Sequence, residues 1–337
     1  MWSLIASAIL VLAALPPVDG HAGKATDVAA ADCIKSPRPG HYIALGKSDG
    51  RSIISEVLQP GVMGVQIRYD WNELEAAEGE YDFTVIRADL EAVSRRDGRL
   101  VVFVEDKTFD GDRPTPDYLA ELTLPNKRNG YTAMRWDPRV IERFSALLVA
   151  IGRAFDCHPG FEGIAIQETA LGLSGELLER HGYTPPRYRD GLVAVLLATA
   201  ASMPNSRVFW YLNFLPGGQK YLATVAAAVA PAGVVMGGPD VLPDNPPLQK
   251  LVYPLFDRFD GELPLFSSIQ HNSYAHRRAD GRTDPPYWTL EELFLFARDE
   301  LHVDYLFWNR KTWRKPGDSY DWTDALPVIR KHADFAD

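Results

Sequence analysis

The chain has 337 residues, 46% of them hydrophobic and 24% charged, and a formal net charge of −10 at pH 7. That apolar share supplies a globular core for one large domain or two average ones. The acidic balance excludes nucleic acid and anionic membrane surfaces as partners, since both are bound through basic patches.

The first element is an apolar run from Leu4 to Leu15, too short to span a bilayer comfortably. Pro16-Pro17 breaks it, and Gly20-His21-Ala22 offers small residues at the cleavage positions. This pattern predicts a signal peptide over residues 1–22 and a periplasmic or secreted protein. No Lys or Arg precedes the run, so an uncleaved anchor is the alternative. Residues 23–38 read as a flexible lead-in, small and polar from Ala22 to Asp32. The two cysteines, Cys33 and Cys157, either pair in an oxidising compartment or stay as buried thiols; neither has metal-ligand spacing.

From residue 39 to 337, strand-like runs alternate with helix-like segments and no linker interrupts them. The predicted strands are His41–Leu45, Gly61–Tyr69, Leu100–Glu105, Gly163–Gln167, Arg207–Asn213, Gly233–Gly237, Leu265–Gln270 and Val303–Trp308. Helical spacing falls at Ser52–Leu58, Val85–Arg96, Arg139–Phe155, Tyr188–Met203, Gln219–Val229, Pro247–Phe256, Leu290–Leu301 and Trp322–His332. Eight such pairs predict an α/β chain folded as a single (β/α)8 TIM barrel. An open doubly wound sheet fits less well, because no Gly-rich phosphate turn follows the first strand.

In such a barrel, ligands bind at the carboxyl ends of the strands, and here those ends are polar. They carry Arg68, Asp70 and Trp71; Glu105 and Asp106; Gln167 and Glu168; Tyr211 and Asn213; Asp240; Gln270, His271 and Asn272; and Trp308 and Asn309. Alternation places Gln66, Arg68 and Asp70 on one face, and Ser268, Gln270 and Asn272 on another. Inward polar residues are costly unless they serve a site or one another. Glu168, closing an apolar strand, is the leading candidate acid. The chemistry this suits is glycosidic bond hydrolysis, which needs one carboxylic acid and an opposing carboxylate. Amides, His and Arg then bind hydroxyls, and aromatic faces pack on sugar rings. Among the aromatics, Trp71, Trp136, Tyr211, Trp288, Trp308 and Trp313 fall on or beside these ends. No serine elbow, metal cluster or phosphate turn is present, so no cofactor is expected.

From roughly Tyr42 to the C-terminus the chain resembles the clan of glycoside hydrolases built on (β/α)8 barrels. Its most readable passage is Val65 to Phe83, where Trp71, Glu75, Glu78-Gly79 and Tyr81-Asp82-Phe83 are similar to the segment after strand two. The resemblance implies a carbohydrate substrate, Arg68 beside a nucleophile, Glu168 after Gln167 as acid/base on strand four, and Trp308 as the floor of the sugar site. The chain departs from the clan at strand seven, where Gln270-His271-Asn272 replaces the nucleophilic glutamate. Asp240, after Gly237-Gly238-Pro239, is then the first choice for the second carboxylate, acting on water in an inverting reaction. Glu105 or Asp106 is the next choice, and a barrel that binds glycan without cutting it is the third.

Several of these residues have plainer readings. Glu168 and Arg68 can simply pair, Trp71 and Trp308 can be core, and Glu75, Glu78 and Asp82 read as a solvated loop and helix cap. The long loop His271–Trp288 carries His276, Arg277, Arg278 and Arg282. It is read either as a contact for an anionic sugar or as a solvated loop balancing nearby acids.

Overall fold

The computed structural model describes residues 33, 35–47, 51–238, 240–282, 286–314 and 320–335. The expected signal segment 1–22 and residues 23–32 of the lead-in lie outside the described residues. Cys33 and Cys157 are both disulfide-bonded, which removes the reading as buried thiols.

Eight parallel strands close into a barrel: β1 (Gly40–Ala44), β2 (Val62–Asp70), β3 (Arg99–Glu105), β4 (Phe161–Ile166), β5 (Arg207–Tyr211), β6 (Val235–Gly237), β7 (Leu265–Ile269) and β8 (Tyr305–Asn309). Neighbours in sequence are neighbours in the barrel, and β1 closes it against β8 with Gly40 opposite Tyr305 and Ala44 opposite Asn309. The chain is the single (β/α)8 barrel that its alternating pattern predicts, each strand end falling within two residues of expectation.

Strand alternation sorts the side chains into two cores. Val65, Ile67, Val102, Ile164, Trp210, Met236 and Trp308 face the helices. Tyr42, Val101, Phe103, Phe209, Phe266, Tyr305 and Phe307 fill the barrel. Phe209 sits edge-on among Tyr305, Phe307 and Phe266, with ring centroids 5.0, 5.5 and 5.6 Å away. Such contacts add about 0.5–1.5 kcal/mol each beyond burial, so the interior is a packed plug rather than a channel. Above it, Gln66 donates to the Tyr211 hydroxyl at 2.9 Å, and that hydroxyl lies 3.3 Å from Ser268.

The outer helices follow their apolar spacing. Pro138–Phe155 starts on Asp137, whose carboxylate accepts from the Arg139 amide, with Pro138 in the first turn. It buries Val140, Phe144, Leu147, Leu148, Ile151 and Phe155. The continuous helix expected over 247–256 is instead two, Pro246–Leu251 and Pro254–Phe259, because Pro254 has no amide proton to continue the ladder. Two antiparallel hairpins, Glu75–Ala77 with Glu80–Tyr81 and Thr123–Pro125 with Tyr131–Ala133, lie in the loops after β2 and β3. Their two- and three-residue strands are too short to show a period.

Candidate functional site

A cleft of about 670 Å³ opens at the carboxyl ends of the strands, within the size range of small-molecule sites. Of the residues expected there, it is lined by Arg68, Gln167, Glu168, Tyr211, Asn213, Asp240, Gln270, His271 and Asn272. It is also lined by Phe103, Lys107, Phe109, Asn126, Arg128 and Phe214, which sequence reading passed over.

Glu168 sits just past β4 with its side chain 14% exposed. Lys107 Nζ donates to Oε1 at 2.8 Å and Asn213 Nδ2 donates to Oε2 at 2.7 Å. Both oxygens thus accept from groups that can only donate, an arrangement suited to a carboxylate. The backbone that follows is fastened at five successive carbonyls. Arg135 donates to Glu168 O (2.5 Å), Tyr188 Oη to Thr169 O (3.1 Å), and Lys107 Nζ to Ala170 O (2.6 Å). Thr132 Oγ1 donates to Leu171 O and the Lys127 amide to Gly172 O, both at 2.9 Å. Such anchoring fixes the segment that carries Glu168 from outside its own loop. Burial pulls the Lys107 ammonium down, and the Glu168 charge opposes that shift.

Asp240 reaches the cleft by a different route. Strand β6 is only three residues long, and its last residue is Gly237, where a Cβ would meet the Phe266 carbonyl oxygen at 2.0 Å. The chain then leaves the barrel wall, and the Tyr253 hydroxyl donates to the Asp240 carbonyl at 3.1 Å. Burial pushes the Asp240 carboxyl up to about 6, against a hydrogen bond from Asn272, and the Glu168 charge adds to the rise. One cleft therefore holds two carboxyl groups in contrasting surroundings, the pattern from which acid and base assignments are read.

The remaining expected residues lie outside the cleft lining. Glu105 is buried beneath it, receiving Arg68 and Lys47 at 2.8 Å each and Gln167 at 3.0 Å. Asp106 faces the helices, where both its oxygens take Arg135 at 2.6 Å, and it is absent from the cleft lining. Asp70 pairs with Lys47 at 2.5 Å. Trp71 is fully buried, its ring 4.9 Å from Phe144 and its Nε1 donating to Glu75 at 2.7 Å. Glu75 is therefore no solvated loop residue: it is fully buried and also paired with Arg143. Asp82 accepts from the Thr84 amide at 2.8 Å one residue before the cap position of the next helix, which Phe83 holds.

Trp308 is not the floor of the cleft. It faces the helix layer, fully buried, with Nε1 donating to His41 Nδ1 at 3.0 Å. Asn309 is buried at the end of β8, where its carbonyl accepts from Tyr274 at 2.9 Å. The basic loop is largely self-satisfied: Arg278 pairs with Glu292 and covers the Trp288 ring at 4.2 Å, and His276 pairs with Asp244.

No protein-family model matches the chain, and no curated protein matches it. Solved structures do share its fold. The catalytic domain of β-amylase from Paenibacillus polymyxa superposes with a TM-score of 0.60 at 10% identity, covering 89% of this chain and 100% of that one. An exo-β-1,4-mannosidase from an Opitutaceae bacterium gives 0.56 at 14% identity, covering 88% and 59%. A GH5_18 protein from Streptomyces cattleya, solved with GlcNAc, gives 0.56 at 13% identity, covering 89% and 80%. At such identities the likeness is one of architecture: this chain has the barrel fold of the (β/α)8 glycoside hydrolases.

Proposed function

We propose that this protein is an exported glycoside hydrolase, with Asp240 and Glu168 as its two working carboxyl groups. The observation that carries this reading is the contrast between them. Asp240, pushed up to about 6, keeps its proton to a higher pH than an ordinary aspartate and suits the general acid. Glu168, with both oxygens accepting hydrogen bonds, suits the base. These roles reverse those that strand position alone suggests.

In this scheme the Asp240 proton passes to the glycosidic oxygen as its bond to the anomeric carbon breaks. Water attacks that carbon from the opposite face and gives its proton to Glu168, so the configuration inverts. Exposed ring faces of Phe109 and Phe214 pack on the sugar, and Gln167, Asn213, Gln270 and Asn272 meet its hydroxyls. Export is supported by the apolar segment Leu4–Leu15 and by the disulfide-bonded state of both cysteines.

The test is release of reducing ends from a polysaccharide panel by the wild type, Asp240→Asn and Glu168→Gln. Turnover by the wild type and its loss in both variants is expected; full activity in either variant overturns the pair. A second reading, a barrel that binds glycan without cutting it, is favoured by Lys107 and Asn213 already occupying Glu168. Saturable binding with no product after long incubation would establish that reading instead.

A further inference from the structure

We propose that the cleft selects glycans carrying an anionic group, a uronate carboxylate or a sulfate ester, and that Arg128 reads it. The inference rests on the carbohydrate reading of the cleft.

Three basic side chains line the cleft: Arg68, Lys107 and Arg128. Two have a carboxylate of their own, Arg68 on Glu105 and Lys107 on Glu168, each at 2.8 Å. The Arg128 guanidinium has no carboxylate or hydrogen-bond partner among the described residues; only its backbone amide is engaged, with Asn126 Oδ1 at 2.9 Å. Against these cations the lining sets two carboxyl groups, Glu168 and Asp240. In a chain with a net charge of −10, Arg128 is thus the cation of this lining that no carboxylate neutralises among the described residues.

The backbone that carries Arg128 is held in place. It rides the turn of the hairpin after β3, which closes by a bond from the Asn126 amide to the Gly130 carbonyl at 2.8 Å. Asn129 takes a left-handed conformation there, φ 63°, and a Cβ on Gly130 would meet the Thr108 carbonyl at 2.3 Å. The Lys127 amide bonds Gly172 in the loop that carries Glu168, so the turn and the reacting group share one frame. The 42%-exposed ring of Phe109 and the 37%-exposed ring of Phe214 line the same cleft. A sugar ring resting on an aromatic face with its anion on a guanidinium combines stacking with a two-pronged, charge-assisted hydrogen bond.

The experiment is calorimetric titration of the full chain with three oligosaccharides of equal length: a polyuronate, its carboxyl-reduced counterpart and a sulfated neutral oligomer. The polyuronate should bind about tenfold tighter than its reduced form, the size of one charge-assisted contact, with the ratio shrinking as salt is raised. Arg128→Gln should bring the ratio near one, while Lys127→Gln, which removes the same charge from the same turn, should keep it. Preference for the sulfated oligomer alone upholds the anion site and makes the ester its ligand. Equal affinities in the wild type, or a ratio that survives Arg128→Gln, overturns the inference. Because binding is read without turnover, preference without product counts against hydrolysis alone. Product from the neutral oligomer without preference counts against the anion site alone.

Discussion

Lys107 Nζ bonds the Glu168 carboxylate at 2.8 Å and the Ala170 carbonyl at 2.6 Å, so a single ammonium fixes both that carboxylate and the loop that carries it. Lys107 is 3% exposed and Glu168 14% exposed, so the pair is largely buried, with Glu168 open to the cleft. Removing one partner of such a pair strands the other, at a cost of roughly 3–5 kcal/mol when fully buried and less here. Lys107→Met should therefore lower stability to urea by about 2–3 kcal/mol. The double variant Lys107→Met/Glu168→Gln should recover at least about 1 kcal/mol of that loss. Strict additivity of the two single changes would contradict the coupling.

Arg135 acts at one remove. Its guanidinium is gripped by both Asp106 oxygens at 2.6 Å while it donates to the Glu168 carbonyl at 2.5 Å. Lys cannot reproduce that fork. Arg135→Lys should lower kcat by about 10- to 100-fold with little change in KM, as loss of outer support does in other preorganised sites. A rise in KM with kcat unchanged would place Arg135 in ordinary substrate binding.

Much of this was legible from residue order and some was not. Strand periodicity exposed all eight barrel strands because each is an apolar run bounded by breaks. The same parity rule excludes Trp308 from the cleft: Phe307 points into the barrel, so its neighbour must face the helices. It also sends Asp106 outward once Glu105 points in. Lys107, Asn126 and Arg128 carried no comparable signal. Asn126 and Arg128 reach the cleft on a loop hairpin, and Lys107, just past β3, bridges to Thr132 of that hairpin, so their placement depends on tertiary bonds. The contrast between Asp240 and Glu168 was equally hidden, since burial and hydrogen-bond partners are properties of the folded chain.

His41 gives the fold a pH dependence of its own. It is fully buried, its Nδ1 accepting from Trp308 Nε1 and its Nε2 lying 3.0 Å from the His332 carbonyl, which fixes the neutral ring. Burial pulls its pKa down to about 4 from the ordinary 6.5. Between these values the unfolded chain binds a proton that the folded chain refuses. Stability is therefore fully present above pH 6.5 and is lost on acidification toward 4, by roughly 3 kcal/mol at most from this residue. Denaturant titrations at pH 7 and 4.5 should show a steeper loss in the wild type than in His41→Phe. Parallel losses would contradict a neutral buried His41.

The most direct test of the central claim is the pH dependence of kcat/KM on a cleaved oligosaccharide. With Asp240 as general acid, the rate should fall as pH rises through about 6, because the proton it must donate is lost there. Asp240→Asn should abolish turnover at every pH. A rate that climbs through pH 6, or an Asp240→Asn variant that keeps the wild-type profile, would contradict the assignment.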